Sequence, residues 1–592
     1  MKPIGHRMSW LLAVVGLLPG CDQRPRPAGA PVPLSTAGSS ATTSAEISRC
    51  RFEDLGARFV KPAAYHNGRE AKRYAILESL GGGGAIWDYD GDGRPDVSLP
   101  GGGEFEGESS LRGWPHHLWR GVGDGIFQDV TSHAEAGLSS RYTHGCAAGD
   151  WNSDGFADLL ITGYGGVELW SNLGDGTFRE VHAETGLTDP SWSSSAGWAD
   201  VNRDGWLDLY VAHYVDWSFE HDPECRGLGP TGRDVCPPRE FRGLDDRLFL
   251  NAGDGTFRAA GKEIGLVPEG KGLGVLLADF DHDADVDIYV ANDTTDNFLY
   301  WNDGKGQFRE GGLVAGVALD DRAQPNGSMG LALGDFDGDL LPDLWVTNFE
   351  QETFALYRNL GAQSFQHVSR ASGVTAIGSV YVGFGTVAED FDLDGDEDLA
   401  VLNGHIIYHP PNSTESQVPV FLENLGTARF QRTMPEPGEG YFHQPHQGRG
   451  LAAGDLDGDG LCDLLAVHNN EPLTWLRNAS EARGTAYHVV LVGRNSERDA
   501  VGARAVLRSS TAGRLRHRFG GGSYLSQSDR TLRWGLPRGE TFVELEVVWP
   551  DGDVQVIREG LTPGKWLVRQ GMAPVALGRR GDDRTLGDST VP

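Results

Sequence analysis

Seven short acidic segments carry the residues of this chain that are best suited to bind a metal ion. Each begins with Asp and places a carboxylate or amide oxygen at positions 1, 3, 5 and 9. Ca2+ prefers such oxygen ligands, position 7 can add a backbone carbonyl, and Gly at position 6 permits a sharp turn. Because the closing acid stands at position 9 rather than 12, these loops are not EF-hands.

The sequence therefore predicts up to seven calcium sites, which we number loops 1 to 7 in chain order. The predicted ligands, loop by loop, are Asp88, Asp90, Asp92 and Asp96; Asp150, Asn152, Asp154 and Asp158; Asp200, Asn202, Asp204 and Asp208; Asp279, Asp281, Asp283 and Asp287; Asp335, Asp337, Asp339 and Asp343; Asp390, Asp392, Asp394 and Asp398; and Asp455, Asp457, Asp459 and Asp463. Loops 4 and 5 have Ala284 and Leu340 at position 6, so we expect these two sites to be strained or weaker.

Short β-strands must position these loops. An apolar strand such as Asp208–Ala212 follows each loop, and a second strand then ends in or near Asn, as at Leu248–Asn251. A Gly-Asp-Gly turn leads into a further strand that opens with Phe178 or its equivalent. With the strand before each loop, this gives four strands per repeat and indicates an all-β fold, a β-propeller.

The repeats predict seven blades and a closed ring. The Phe that opens the last strand occurs only six times, and the seventh repeat stops at Asn478 without one. The segment Phe52-Glu-Asp-Leu resembles Phe127-Gln-Asp-Val, so residues 52–60 are expected to supply the missing outer strand and to remove the exposed sheet edges. Six or eight blades remain alternatives if one repeat is degenerate.

The repeats resemble the integrin-type FG-GAP/VCBS calcium repeats. The segment from Tyr487–Gly493 through Gly520–Asp529 to Val548–Gly552 resembles the ASPIC/UnbV domain, and the combination resembles the bacterial relatives of cartilage acidic protein. The resemblance covers roughly residues 50–571, and the Cys-rich EGF-like module of the animal protein is absent. It implies a seven-bladed propeller over residues 48–480, followed by a small β-sandwich-like domain over residues 485–572.

The N-terminus has the pattern of an export signal. Residues 1–20 combine Lys2 and Arg7 with a short apolar run, and the run ends at Cys21 in a sequence similar to a bacterial lipobox. That resemblance implies a lipidated Cys21, a flexible tether over residues 21–47 and a place in the bacterial envelope, at the outer membrane or cell surface. An ordinary secretory signal is the alternative. The polar tail, residues 573–592, is expected to be disordered.

Export permits disulfide bonds. Cys225 and Cys236 close a short Gly/Pro-rich loop and are the expected pair. The sequence does not pair Cys50, Cys146 or Cys462, and at least one of them must stay unpaired.

Charge and motifs limit the possible functions. A net charge of −33 argues against binding to nucleic acid or to anionic lipid. We find no nucleophile elbow, HExxH helix, Walker loop or dinucleotide fingerprint. We therefore predict a protein that is not an enzyme and binds an extracellular glycan, matrix polymer or protein. A propeller enzyme of the polysaccharide lyase, hydrolase or quinoprotein type and a structural assembly protein are the alternatives.

The repeat order separates two faces of the predicted propeller. Calcium loops and hairpin turns share one face, and nearly all the variation in loop length lies on the other, which we call the variable face. Long loops on a rigid scaffold are where ligands usually bind. The polar residues five positions after the ninth-position Asp could ring a funnel on the variable face, or could simply bond the following turn. They are His213, Asn292, Asn348, Asn403 and His468.

Overall fold

The computed structural model describes residues 46–135, 137, 141–435 and 440–577. The signal sequence (1–20), Cys21 and the tether up to residue 45 lie outside the described residues, as does the tail from residue 578. Within the described part of the chain, no helix has both the length and the apolar character needed to cross a membrane.

Seven four-stranded antiparallel sheets follow one another along the chain and form the predicted blades. From the centre outward their strands are Ala85–Trp87, Asp96–Leu99, His117–Gly121 and Phe127–Asp129; Tyr142–Gly149, Asp158–Tyr164, Gly166–Asn172 and Phe178–Glu180; Ser193–Ala199, Asp208–His213, Arg247–Asn251 and Phe257–Ala260; Gly272–Ala278, Asp287–Asn292, Phe298–Asn302 and Phe308–Glu310; Ser328–Gly334, Asp343–Asn348, Ala355–Asn359 and Phe365–His367; Gly383–Glu389, Asp398–Asn403, Val420–Asn424 and Phe430–Met434; and Gly448–Gly454, Asp463–His468, Thr474–Asn478 and Phe52–Asp54.

The ring closes through the N-terminal strand. Phe52–Asp54 pairs antiparallel with Thr474–Asn478, with Phe52 opposite Asn478, and so completes blade 7. The innermost strand of each blade contacts that of the next blade, and Gly448–Gly454 contacts Ala85–Trp87 to complete the circle. The prediction of an all-β fold built from propeller blades is confirmed. Just before this strand, Glu46–Ile47 adds a short parallel strand outside blade 6.

The variable face carries the long loops. Its extra strands are His66–Asn67, Gly102–Glu106 and Ser110–Gly113, which form one small sheet, and the hairpin of Cys225–Arg226 and Arg233–Asp234. A disulfide joins Cys225 to Cys236, with 5.1 Å between their Cα atoms, and Cys50, Cys146 and Cys462 are free and buried. The described helices are single turns: the α-helix Gly312–Ala315 and the 3-10 helices Gly56–Arg58, Arg69–Ala71, Ile76–Ser79, Pro238–Glu240, Lys262–Ile264, Val374–Ile377 and Tyr441–His443.

The C-terminal domain consists of two four-stranded sheets around one core. One sheet contains, in spatial order, Leu532–Pro537, Gly484–Val492, Gly564–Arg569 and Val575–Ala576; the other contains Gly513–His517, Arg504–Ser509, Phe542–Val548 and Val554–Ile557. Val489, Leu545 and Trp534 are among the buried residues of the shared core, which gives the domain its sandwich-like character. Its last strand, Val575–Ala576, pairs with Gly564–Arg569.

One loop of the C-terminal domain enters the central channel of the propeller, an arrangement that the sequence did not predict. We call this loop, Gly520–Asp529, the plug. Gly520–Gly521 pairs with the inner strand of blade 4, Ser523 with Leu331 of blade 5, and Gln527 with Ala85 of blade 1. At its tip, Tyr524 and Leu525 are buried, and the Tyr524 ring lies 4.8 Å from that of Phe384.

Two glycines of the first two blades make room for the plug. A Cβ atom added to Gly83 would lie 1.9 Å from the backbone oxygen of Leu525, and one added to Gly145 would lie 2.6 Å from the same oxygen. These glycines stand five residues before the first Asp of their loops, and small residues occupy the same position in every blade: Gly83, Gly145, Ser195, Gly274, Gly330, Gly385 and Gly450.

Candidate functional site

Backbone N–H groups fold all seven acidic loops in the same way. The position-1 Asp accepts a hydrogen bond on Oδ2 from the N–H of position 6, as from Gly93 to Asp88 at 2.9 Å and from Ala284 to Asp279 at 3.1 Å. The position-5 carboxylate accepts the N–H of position 7 through Oδ1, as in Asp283 at 2.9 Å. One oxygen of each of these carboxylates is thus used to curl the loop. The other oxygen also has a partner in several loops: Oδ1 of Asp150 accepts the Asp154 N–H at 3.0 Å, and Oδ2 of Asp339 accepts from Arg358 at 3.0 Å.

The ninth-position Asp ties each loop to its blade. Its Oδ1 accepts the backbone N–H at the end of the third strand, as Asp208 does from Asn251 at 2.8 Å. The Asn251 side chain then donates to the carbonyl of Leu207 at 3.1 Å and to that of Trp151, in loop 2 of the preceding blade, at 2.9 Å. Blades 4 to 7 repeat this link through Asn302, Asn359, Asn424 and Asn478. The Asn that the sequence shows at this position therefore connects neighbouring calcium loops.

Five of the loops bring three carboxylates close enough to hold one ion, with a ligand oxygen from each residue lying within 4.8 Å of the others. These clusters are Asp88, Asp90 and Asp96; Asp279, Asp281 and Asp283; Asp335, Asp337 and Asp339; Asp390, Asp392 and Asp394; and Asp455, Asp457 and Asp463. In the other two loops an amide, Asn152 or Asn202, takes position 3 and accepts the N–H of position 5 at 3.1 and 3.0 Å.

The buried oxygens of these clusters fit a hard cation. The Oδ1 atoms of Asp88, Asp279 and Asp335 are buried and have no hydrogen-bond partner among the described residues. Burial raises the pKa of Asp279 to about 7 and that of Asp343 to about 8, and the neighbouring carboxylates add to both shifts. A divalent cation would supply the missing partner and would stabilise the ionised form of the cluster.

Loops 4 and 5 keep this geometry without glycine at position 6. Ala284 and Leu340 have φ angles of 72° and 67°, in the left-handed region where a Cβ atom is unfavourable. Their N–H groups still bond the position-1 Asp, each at 3.1 Å. The strain expected from the sequence is therefore present, at a cost on the order of 1 kcal/mol per residue.

The predicted funnel rim is not open to solvent. His213, Asn292, Asn348, Asn403 and His468 are 0, 0, 0, 1 and 2 % exposed. Each side chain bonds a backbone carbonyl at the far end of the connection that follows its strand: Asn348 Nδ2 donates to the Thr353 carbonyl at 2.7 Å, and His213 Nδ1 lies 2.9 Å from the Asp245 carbonyl oxygen. These bonds fit the alternative in which the residues bond the following chain, and the burial argues against an open rim.

Hydrogen bonds and a cation–π contact connect the long loops of the variable face to one another. Asp234, in the disulfide hairpin, accepts the backbone N–H groups of Tyr408 at 2.9 Å and His409 at 3.1 Å. The Tyr408 hydroxyl donates to Glu78, and the guanidinium of Arg69 lies 4.5 Å from the centre of the Tyr408 ring. Three separate loops therefore form one rigid platform. Glu78 was not predicted from the sequence, since it lies in no repeat.

Glu78 is the most unusual acid of this platform. It is 2 % exposed, and burial raises its pKa to about 7 although Tyr408 and the Ala75 backbone donate hydrogen bonds to it. It is therefore partly protonated at neutral pH.

Solved structures resemble this chain only loosely. A lectin of Agrocybe aegerita, described as recognising non-reducing terminal N-acetylglucosamine, is 16 % identical with a TM-score of 0.37, covering 62 % of this chain and 88 % of the lectin. BBS1N in complex with ARL6DN is 10 % identical with a TM-score of 0.37, covering 73 % and 97 % of the two chains.

Relatives by sequence are more informative. Cartilage acidic protein 1 of Xenopus tropicalis is 26 % identical over 510 residues, covering 80 % of this chain and 70 % of that protein. The Mus musculus protein of the same name is also 26 % identical, over 394 residues, and the match spans about half of its length (54 %).

Two family models match separate parts of the chain. The FG-GAP-like repeat model matches residues 88–161, 150–211, 279–346 and 335–401, which contain loops 1 to 6 with their strands. The ASPIC and UnbV model matches residues 493–573, which contain the plug. The chain is an FG-GAP repeat protein with a C-terminal ASPIC/UnbV domain, homologous to cartilage acidic protein 1.

Proposed function

We propose that this chain is a calcium-stabilised propeller, anchored to the bacterial envelope, that binds an extracellular glycan, matrix polymer or protein through its variable face. One observation carries the choice of face. The C-terminal domain covers the face of the calcium loops and closes the channel there, so the platform of long loops remains as the broad surface for a partner.

Calcium has a structural role in this proposal. The cation neutralises crowded carboxylates and fixes the loops, while ligand recognition lies on the opposite side of the molecule. Calcium removal is then expected to weaken binding only indirectly, through loss of the rigid scaffold. The rigid platform favours recognition by preformed loops, because little ordering entropy is lost on binding.

A binding screen of the full chain on glycan and envelope-extract arrays, with and without Ca2+, tests the proposal. We expect a calcium-dependent hit. Two exposed leucines provide a matched pair of variants: Leu228, 73 % exposed, is on the variable face, and Leu360, 52 % exposed, is in a hairpin turn on the calcium face. Leu228→Arg should weaken the hit, and Leu360→Arg should not.

Two results would contradict the proposal. Absence of any hit from protein shown to be folded would shift support to an enzyme or to an assembly role. A hit weakened only by Leu360→Arg would place recognition on the calcium face.

A further inference from the structure

The C-terminal domain presents a basic surface to the acidic face of the propeller. Residues 481–577 contain 14 Lys and Arg against 10 Asp and Glu, in a chain whose net charge is −33. Five of these arginines form ion pairs with propeller carboxylates: Arg483 with Asp392 and Asp394, Arg498 with Asp150, Arg504 with Asp279, Arg516 with Glu397, and Arg533 with Glu389. Most of these partners are predicted calcium ligands.

Contacts to position-1 Asp residues use the oxygen that bonds the loop backbone. Arg504 and the Ala284 N–H both bond Oδ2 of Asp279, whereas Oδ1 of Asp279 is buried without a partner. In loop 6, the Gly535 N–H donates to Oδ2 of Asp390 at 3.1 Å, beside the bond from Gly395. The described part of the domain therefore orients Asp279 and Asp390 through Oδ2 and makes no bond to their Oδ1, as outer-shell partners of metal ligands do. In loop 6, Arg483 in addition bonds Oδ2 of Asp392 and Asp394.

The plug is attached to the strands that lead into the same loops. The N–H of Gly522 donates to Val275 at 2.8 Å and that of Ser523 to Leu331 at 2.6 Å. Val275 and Leu331 stand four residues before Asp279 and Asp335, the first ligands of loops 4 and 5. The N–H of Asp529 donates to Ala453, two residues before Asp455, at 3.0 Å. Disorder in a loop would therefore weaken the hydrogen bonds that hold the plug.

We propose that calcium binding and the seating of the C-terminal domain are coupled, so that filled loops hold the plug in the channel and calcium loss releases it. The inference rests on the calcium binding in the proposed function. Fixed loops present Asp150, Asp279 and Asp390 in the positions that receive the domain. Because linkage is reciprocal, the seated domain in turn favours calcium in loops 2 and 4.

Hydrogen exchange of the full chain, with Ca2+ and after chelation, tests the coupling. The amides of residues 520–529 should exchange at least about tenfold faster without calcium, since their acceptors lie on the propeller. Two segments serve as controls: residues 542–557, whose strands pair within the C-terminal domain, and the disulfide hairpin 225–234. Equal acceleration in all three segments would mean general unfolding and would overturn the inference.

Calorimetric titration of the same preparation with Ca2+ separates the two proposals. If no calcium binds, the calcium part of the proposed function fails. If calcium binds and the plug amides exchange at the same rate with and without it, only the coupling fails.

A pair of arginines on one strand sharpens the test. Arg504→Gln removes the contact with Asp279 and should speed exchange of the plug amides even in calcium. Arg508→Gln is the control, because Arg508 pairs with Glu544 and Glu546 inside the C-terminal domain. An equal effect of the two variants would contradict the role given to Arg504.

Discussion

At the scale of single residues, the two oxygens of a carboxylate in an acidic loop bond different partners. In loop 1, Asp90 accepts the Asp92 N–H through Oδ1 at 3.2 Å, and its Oδ2 pairs with Arg120 at 2.6 Å. The arginine lies on the exposed side of the loop and partly offsets the crowded negative charge. A calcium ion would have to share these acids with it.

Asp90→Ala should lower the melting temperature in calcium by about 2–5 °C, because one bound ion contributes a few kcal/mol of stability. The difference should vanish after chelation. Asp175→Ala is the control, since Asp175 is an exposed hairpin acid that bonds only Thr177 among the described residues. Thermal unfolding followed by circular dichroism gives the readout, and a drop that persists in chelator would argue against a calcium ligand.

Glu78 makes stability depend on pH. Its folded pKa, raised by burial to about 7, lies above its unfolded value of about 4.3. The folded state therefore binds the proton more tightly, and stability is lost as pH rises from about 4 to above 7. Glu78→Gln removes this penalty and should stabilise the protein by about 1–3 kcal/mol at pH 8, with little gain at pH 5. Denaturant unfolding at both pH values is the test, and an equal effect at both would rule out the titration.

At the scale of elements, the N-terminal strand closes the ring. Phe52 is 3 % exposed, and its ring lies 5.5 Å from that of Phe391 and 5.7 Å from that of Phe442. Phe52→Ala should destabilise the propeller by about 3–5 kcal/mol, because it removes a buried ring from the seam between the last two blades. Glu53→Ala, in the same strand but exposed, is the control in denaturant unfolding. Similar losses of unfolding free energy from the two variants would show that Phe52 packing at the seam adds little to stability.

The plug depends on the small residues of the channel. Gly83→Ala places a Cβ atom 1.9 Å from the Leu525 carbonyl, so backbone must shift, and we expect a loss of about 1–3 kcal/mol together with faster exchange of the plug amides. Ser195→Ala is the matched control: the equivalent position in blade 3 already carries a Cβ, and the change removes the Leu525 N–H bond at 3.3 Å and the hydroxyl bond to the Leu273 carbonyl at 2.6 Å without a steric clash. If Gly83→Ala left plug exchange unchanged, the close packing would not matter.

These elements also show where sequence reasoning succeeds and where it stops. The repeated sequence pattern predicted the strands, the loops and the pairing of Phe52 with Asn478, because each of these features belongs to the repeat. The plug has no repeat and no strand pattern, and its partners are distant in sequence. The small residues five positions before each loop do not reveal the plug, because Gly274, Gly330 and Gly385 lie against the backbone of the next blade instead. The sequence left open whether His213 and its equivalents form a rim, because their burial depends on loops that share no pattern with them.

At the scale of the whole molecule, the acidic loops form one connected system. Asn side chains link loops in neighbouring blades, and the C-terminal domain contacts several loops at once. Sites that are linked in this way should act on one unfolding equilibrium rather than on seven local ones. Charge favours the same view, because a net charge of −33 opposes the compact state until cations are bound.

Stability should therefore rise steeply with calcium concentration. Each site that binds only the folded state contributes RT ln(1 + [Ca2+]/Kd), about 2.7 kcal/mol at one hundred times its Kd. The slope of the logarithm of the unfolding constant against the logarithm of free calcium then counts the ions released. A slope near five would mean that only the five carboxylate clusters bind an ion. A slope near seven would mean that the loops with Asn152 and Asn202 bind one as well. Asp90→Ala should reduce it by about one, and a slope near one for the parent protein would contradict a system of linked sites.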